Sequence, residues 1–346
     1  MRAWVFRTKG EPSAVLKLEQ DYPKPTPGKG RILVKVHAAS LNPVGWKAMG
    51  MPPVSWLQKV PAVPESDFSG VVEGGDLAGS GLSVGDEVFG LVPAEKTMKT
   101  GGGVLAEYTL TDPKLTVKKP ANVSFEEASS FPLTTFTAYS TLKNLGGMKK
   151  GGAQRVFING GSGGVGVYAV QLAKAYGAYV VTTCSPPSRS LVETLGADEI
   201  LDYKASPLSD QLSAKYAAKS GKPFDLVLDT VGHDLELYRR SPEFLAPEGI
   251  FLDIAGPPLE AGLFSAGIEL VNRTLRPSWL GGTPRKYHFG MMKPTKADLD
   301  EMAQFVEEGK LKPVIDEVFP FEEALRAYDR QKSGRSKGKV VVSVVG

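Results

Sequence analysis

One cysteine, three histidines and almost no net charge are what this sequence carries, and each scarcity closes off a class of protein. Cys184 has no partner, so no internal disulfide forms, and the composition fits a reducing compartment. His37, His233 and His288 lie far apart, and with a single cysteine they assemble no Cys/His zinc cluster. Forty-one basic against 38 acidic residues leave a net charge of +3, which argues against nucleic acid as the principal partner. No apolar run reaches the roughly 18 residues of a membrane-spanning helix. The opening MRAWVFRTKG lacks the apolar stretch of a secretory leader, so the mature chain is expected to begin near Met1. The expected location is the cytoplasm, with an organelle and peripheral attachment to a membrane as the alternative.

What is present reads as a folded chain of two domains. A composition 42% hydrophobic and 23% charged excludes disorder and collagen, and 346 residues suffice for two cores. The first hundred residues are short strands separated by Gly and Pro: RILVKVHAA (31–39), DFSGVVEGG (67–75), VGDEVFGLV (84–92) and AEYTLTD (106–112). Such spacing predicts a compact antiparallel barrel, with Gly101–Gly103 as a flexible lip before one strand. From Ser124, which opens a helix with Glu127 as a capping box, the pattern changes. A second helical stretch covers about 133–145. Then strands RVFING, AYVVTTC, EILDY, FDLVLDT and GIFLDIA alternate with helices, which predicts a doubly wound parallel sheet. The last thirty residues, with EVFP, a helix over 321–332 and KVVVSV, return to the first domain. The boundaries fall near 122 and 314: residues 1–122 with 315–346, and residues 123–314.

The chemistry begins at Gly161-Ser162-Gly163-Gly164-Val165-Gly166, which follows RVFIN and opens a helix. In that setting the glycines suit a dinucleotide: Gly161 for the tight turn, Gly163 for approach of the diphosphate to the backbone, Gly166 for close packing of helix and strand. The helix N-terminus offers N–H groups and positive dipole to phosphate. The end of the second strand separates NAD from NADP. Where an NAD site carries an acid for the ribose hydroxyls, this chain has Cys184-Ser185-Pro186-Pro187-Ser188-Arg189. A hydroxyl and a guanidinium suit a 2′-phosphate, and Tyr203 ends the neighbouring strand. NADPH is therefore the expected cofactor, against the plainer reading of Arg189 as an exposed helix-start cation and Tyr203 as a half-buried strand aromatic. Gly256, just past GIFLDIA, joins the cofactor candidates.

On these residues the whole chain resembles the medium-chain dehydrogenase/reductase superfamily, in its zinc-free quinone-oxidoreductase-like branch. The likeness rests on ASLNPVGWK (39–47), DFSGVV (67–72), GGGVLAEYTL (101–110), FPLTTFTA (131–138), the glycine loop with its helix, LGADEILDYK (195–204) and GKVVVSV. Within the branch it is to the chloroplast-envelope quinone oxidoreductase homologue and the NADPH-dependent alkenal/one reductases. The resemblance implies a Rossmann sheet plus a GroES-like β-barrel catalytic domain. Zinc alcohol dehydrogenases carry Cys in the loop that here reads Ala39-Ser40-Leu41-Asn42, and Gly-His-Glu where Glu65-Ser66-Asp67 stands. The common tract NPVDWK has lost its Asp, at Gly45.

Without a Lewis acid, a hydride acceptor must be activated by conjugation, which points to an enone, an enal or a quinone. Lys47 is the candidate hydrogen-bond donor to the enolate oxygen and proton source, with Asn42 holding the loop or the nicotinamide ribose. The plainer reading sends Lys47 outward into solvent. The resemblance implies that Thr137 bonds the nicotinamide amide; its alternative is a helix hydroxyl bonded to its own backbone. Trp46, Trp56, Phe136 and Trp279 are candidates for the wall of an apolar slot or for core. His37 and Cys184 read as structural. The segment 271–280 resembles the edge strand through which these enzymes dimerise, so a homodimer is expected. The leading function is NADPH-dependent reduction of the activated C=C of α,β-unsaturated carbonyls, in a dry cleft between two lobes. A quinone reductase, an enoyl-thioester reductase (for which no basic groove is evident) and a non-catalytic NADPH-binding protein are the alternatives.

Overall fold

In the computed structural model the described residues are 1–217, 222–257, 263–290 and 295–345. The chain divides into two compact units, Met1–Phe136 with Pro294–Gly346, and Thr137–Lys293.

The first unit is built on strands β1 (Ala3–Phe6), β2 (Leu16–Glu19), β3 (Ile32–Ser40), β4 (Asp67–Gly75), β5 (Glu87–Leu91), β6 (Tyr108–Thr111) and β7 (Thr116–Lys118), joined by β14 (Ile315–Pro320) and β15 (Lys339–Ser343). Seven of them form a sheet in the order β14-β15-β3-β4-β5-β7, with β6 also on β3, while β1 and β2 pair separately. The alternation in RILVKVHAA does the sorting: Ile32, Val34, Val36 and Ala38 are fully buried. They pack with Phe6, Phe68, Val88, Met49 and, from the far end of the chain, Phe319, Tyr328 and Val342. Burying each large apolar side chain is worth about 1.5–3 kcal/mol, so the returning segment is part of the core. The expected antiparallel barrel holds except at one seam, where β14 and β15 run parallel.

Residues 123–136 and the helix Lys296–Glu307 also belong to this unit, so the predicted boundaries at 122 and 314 are corrected to 136 and 293. Polar ties set the difference. Ser69 donates to the Phe125 carbonyl at 2.5 Å, Leu133 N–H to Asp67 Oδ1 at 2.8 Å, and Asn122 to the Val306 carbonyl at 3.0 Å. The glycine run is no flexible lip. A Cβ at Gly101 would come 2.5 Å from the Pro61 carbonyl oxygen, and one at Gly103 2.3 Å from those of Val63 and Pro64. These glycines let two backbones close on each other.

The second unit contains β8 (Arg155–Asn159), β9 (Tyr179–Cys184), β10 (Glu199–Asp202), β11 (Phe224–Asp229), β12 (Leu245–Asp253) and β13 (Lys286–Phe289), in the order β10-β9-β8-β11-β12-β13. Every pair is parallel, one strand more than the five read from sequence. Numbered from its own first strand, the order is 3-2-1-4-5-6, with its topological switch between β8 and β11. Phe157, Val181, Val227 and Phe251 fill the core. The segment expected as an edge strand, 271–280, is instead the end of the helix Leu263–Leu275 and a 3₁₀ turn over Ser278–Leu280; the edge is β13. The predicted stretch 133–145 is an α-helix, Pro132–Tyr139, that widens into a π-helix over Ser140–Leu145.

Candidate functional site

The glycine loop lies at the carboxyl ends of β8 and β9, where open parallel sheets bind ligands. Its tight turn falls one residue earlier than expected: Gly160 has φ +90°, whereas Gly161 has no positive φ. Gly161 is required for another reason, since a Cβ there would sit 2.2 Å from Thr182 Oγ1 on β9. A Cβ on Gly166 would lie 2.0 Å from the Gly160 carbonyl oxygen, so the helix Gly166–Ala175 can start only hard against the strand end. Gly163 differs. Its Cβ would meet nothing nearer than 3.4 Å, an ordinary contact, so the fold makes no demand for glycine there. Ser162, Gly164 and Val165 are half-buried, and their N–H groups donate to no acceptor among the described residues. A glycine that packing does not demand, beside three uncommitted donors at a helix N-terminus, is what a diphosphate requires.

A polar ladder fixes this loop, and sequence reasoning missed it. Gly160 N–H donates to Thr183 Oγ1 (2.8 Å), Thr183 donates to Asn159 Oδ1 (2.8 Å), and Asn159 Nδ2 donates to Asp229 Oδ1 (2.9 Å). The same Asp229 oxygen accepts the Val231 and Gly232 amides. On the next strand Asp253 Oδ1 repeats the device with Ala255 and Gly256 (3.0 and 2.8 Å), and Gly256 has φ +75°. The signal was legible as Asp-x-x-Gly closing two consecutive strands, DTVG and DIAG. Burial raises the Asp229 carboxyl above the ordinary carboxylate range, and the two turn amides and Asn159 pull against it. Asp253 is fully buried and is held by Arg273 (3.0 Å) and the Tyr287 hydroxyl (2.8 Å).

Register brings two of the three 2′-phosphate candidates together. Asp202 pairs with Cys184, so Tyr203 and Ser185 leave adjacent strands side by side. Arg189 opens the helix Arg189–Thr194 and is exposed, its guanidinium 2.9 Å from Glu193 across one helical turn. Such an exposed pair is worth well under about 1 kcal/mol and leaves Arg189 free to swing. Cys184 is buried, and burial pushes its thiol up, away from reactivity. Thr137 is half-buried in the helix Pro132–Tyr139.

In the first unit, β3 and β4 set Ser40 opposite Asp67, and around them lies a buried polar cluster. Asp67 Oδ2 accepts from Asn42 Nδ2 (2.9 Å), Ser40 (3.2 Å) and the Lys339 ammonium (3.3 Å). Lys339 also donates to Asn42 Oδ1 (2.5 Å) and the Leu41 carbonyl (3.0 Å). Burial pushes the Asp67 carboxyl up and the Lys339 ammonium down, and their mutual attraction pulls against both shifts. Asn42 is 1% exposed with both ends of its amide committed. Within the protein its amide bonds the Ser40 carbonyl, Asp67 and Lys339, which ties the loop to β4 and β15. Lys47 is half-buried on the helix Pro43–Gly50, and its ammonium makes no hydrogen bond among the described residues; it lies 5.8 Å from the Trp46 ring centre. The four aromatics differ in burial. Phe136 is fully buried, Trp46 packs on the barrel core, Trp56 is exposed, and Trp279 is an exposed residue of the second unit. His37 stacks on Phe125 at 4.1 Å, as a structural residue does.

The parallel 3-2-1-4-5-6 sheet and its glycine loop define a dinucleotide-binding protein. Residues 28–121 match the alcohol dehydrogenase GroES-like domain family, and residues 195–342 match the zinc-binding dehydrogenase family. The chain is 34% identical to a trans-enoyl reductase of Aspergillus terreus, over 99% of this chain and 96% of that one. It is 32% identical to a mitochondrial NAD(P)H oxidoreductase of Homo sapiens (100% and 89%) and 33% identical to the chloroplast envelope quinone oxidoreductase homolog of Arabidopsis thaliana (99% and 98%). Among solved structures it is similar to the quinone oxidoreductase from Coxiella burnetii, with TM-score 0.82 and 30% identity over 100% and 99% of the chains. The chain therefore belongs to the medium-chain dehydrogenase/reductase superfamily, in its quinone-oxidoreductase-like branch. It is an oxidoreductase that works with a nicotinamide cofactor.

The zinc implied by one family description does not fit these residues. No Cys or His stands among Ser40, Asn42, Glu65, Ser66 and Asp67, and the Asp67 carboxylate is already paired with an ammonium. Among the described residues no group of three or more His, Cys, Asp or Glu is placed to hold a metal, and no helix is long and apolar enough to cross a membrane.

Proposed function

We propose that this chain uses NADPH, without zinc, to reduce the activated C=C of α,β-unsaturated carbonyls, with quinones as further substrates. The observation that carries the cofactor half is the set of amides at Ser162, Gly164 and Val165, uncommitted among the described residues, beside Gly163, where packing makes no demand for glycine. Gly161 and Gly166 allow that loop, and Gly256 and Thr137 are the proposed contacts of the nicotinamide end. Ser185, Arg189 and Tyr203 would hold the 2′-phosphate, since no acid follows Cys184 to repel it. When bound, NADPH supplies a hydride to the β-carbon. The electron pair of the C=C then moves toward the carbonyl oxygen, where the Lys47 ammonium donates a hydrogen bond, and the α-carbon takes up a proton. Asn42, locked by Asp67 and Lys339, fixes the start of the helix that carries Lys47.

A second reading is favoured by one cavity. The sequence shows no basic groove, yet the fold assembles a cavity of about 600 Å³ in the first unit, lined by Arg7, Lys24, Arg31 and Lys96 among Tyr22 and Tyr108, with Arg7 paired to Glu19 and Lys24 near Glu73 from outside the lining. That lining suits the phosphate-bearing arm of an enoyl thioester. NADPH oxidation followed with a simple enone, a benzoquinone, an enoyl thioester and no acceptor decides. Turnover of the enone supports the proposal. Turnover of the thioester alone transfers it to the second reading, and tight NADPH binding with no turnover overturns both.

We also infer a homodimer. Phe264, Ile268, Val271 and Leu275 form an exposed apolar stripe on the helix Leu263–Leu275 beside the edge strand β13, with Trp279 and Leu280 beyond it. A second copy pairing along that edge would cover the stripe. Phe264→Glu is expected to yield a monomer in light-scattering chromatography, and a monomeric parent chain refutes the inference.

A further inference from the structure

Two departures from the family tracts meet at one point in the first unit. Position 45 has glycine where NPVDWK carries aspartate, and position 65 has glutamate where Gly-His-Glu begins with glycine. A Cβ built on Gly45 would lie 2.0 Å from Glu65 Oε1, 2.6 Å from its Cδ and 2.9 Å from Oε2. The Glu65 carboxyl thus fills the volume that a side chain at 45 would enter. Glu65 does so under two handicaps: φ is +71°, the left-handed conformation that favours glycine, and the residue is 2% exposed. A non-glycine residue persists in that state only where its surroundings hold it, and such sites cluster at functional segments.

What Glu65 does there is legible in the helix Pro43–Gly50. Asn42 is its N-cap and position 45 its third residue. A carboxylate at that third position ordinarily reaches back to the N-cap amide, which is half of a capping box. Glycine has nothing to reach with. The Asn42 N–H donates instead to Glu65 Oε2 at 3.0 Å, and Glu65 Oε1 accepts the Tyr328 hydroxyl at 2.7 Å. The Asn42 side chain makes no cap of its own, being committed to Asp67 and Lys339. We propose that Glu65 is a positioning residue: it supplies, from outside the helix, the capping carboxyl that position 45 lacks, and so fixes the turn that carries Trp46 and Lys47. The inference rests on the reading that Lys47 serves the reaction.

The test is an exchange of the two positions, read by enone turnover, NADPH binding and thermal melting of the full chain. Glu65→Gly is expected to lower kcat roughly tenfold or more, as displacement of a reacting group does, while NADPH affinity stays at the parent value. Gly45→Asp alone is expected to melt early, because its side chain has nowhere to go. The double variant Gly45→Asp/Glu65→Gly is expected to return kcat to within about threefold of the parent, the non-additivity of a coupled pair. A folded, NADPH-binding double variant no faster than Glu65→Gly overturns the proposal, as does Glu65→Gly with parental kcat. Lys47→Ala with unchanged kcat removes Lys47 from the mechanism, and with it the positioning role; the capping exchange is then judged by melting alone, where recovery in the double variant upholds it and no recovery refutes it.

Discussion

Substituting alanine at each loop glycine in turn separates what the fold needs from what the ligand needs. At Gly166 the added methyl would stand 2.0 Å from the Gly160 carbonyl oxygen and 2.9 Å from Gly161 Cα, all backbone, so the helix start must move. Overpacking of that kind costs about 1–3 kcal/mol. At Gly161 the methyl would meet Thr182 Oγ1 at 2.2 Å, and relief by rotating Thr182 would break its 2.6 Å bond to the Ile158 carbonyl. That bond is worth about 1 kcal/mol, in addition to strain. At Gly163 the nearest atom is 3.4 Å away and φ is not left-handed. Alanine there is expected to stabilise the NADPH-free protein slightly, by up to about 1 kcal/mol, through the unfolded chain. The same methyl stands where the diphosphate would approach, and NADPH affinity is expected to fall at least about tenfold, or about 1.4 kcal/mol. Urea melts without NADPH and fluorescence titrations with it give both numbers. Gly163→Ala binding NADPH like the parent would refute the assignment of this loop to phosphate; Gly163→Ala as unstable as Gly166→Ala would refute the packing argument.

Arg189→Ala is expected to raise KM for NADPH by roughly tenfold while leaving NADH nearly unaffected, since a bidentate contact to the 2′-phosphate is lost; equal effects on both cofactors would remove Arg189 from the site. Arg273→Ala leaves Asp253 buried beside Tyr287 without its cation and is expected to cost about 3–5 kcal/mol in denaturant melts, and a cost under about 1 kcal/mol would contradict the buried pair. Glu65→Gln tests burial by pH. Burial pushes the Glu65 carboxyl up to about 8, against the pull of the Tyr328 hydroxyl, the Lys339 ammonium and the Asn42 amide, with Asp67 adding to the rise. A raised folded value means that the unfolded chain ionises first. Stability from this group is full below about pH 4.5, is lost as pH climbs toward 8, and is level beyond. Lys339 works with the opposite sign, and in the variant it loses the attraction of Glu65 while keeping that of Asp67. The variant, which cannot ionise there, should therefore gain on the parent by roughly 3–4 kcal/mol at most between pH 5 and 8; parallel stability curves would sink the argument.

Much of the second unit was legible because its signals are local. A strand, a glycine loop and a helix follow one another within about twenty residues, and period-two strands alternate with helices throughout. The roles assigned to single glycines were less secure, because Gly160, Gly161 and Gly166 are distinguished only by what stands across from them: nothing in the sequence says that Thr182 lies beside Gly161. The edge segment 271–280 misled for a different reason. Its strand reading came from resemblance alone, whereas Phe264, Ile268, Val271 and Leu275 are apolar at helical spacing, and a helix forms. In the first unit the cluster of Asn42, Glu65, Asp67, Tyr328 and Lys339 spans nearly the whole chain. Lys47 and Asn42 were visible as residue types in a tract, whereas the partners of Asn42 come from a fold no local pattern encodes.

The pairing of β15 with β3 sets a timetable for biosynthesis. Residues of the second unit are contiguous and can finish folding as they emerge, but Asp67 and Asn42 must wait for Lys339, made about 270 residues after Asp67. At translation speeds of about 5–20 residues per second, the nascent barrel holds an unneutralised carboxylate for roughly 15–60 s. Proteolytic clipping just ahead of Lys339 would return the molecule to that juvenile condition: an intact parallel-sheet unit attached to a barrel whose Asn42 loop has lost its anchor.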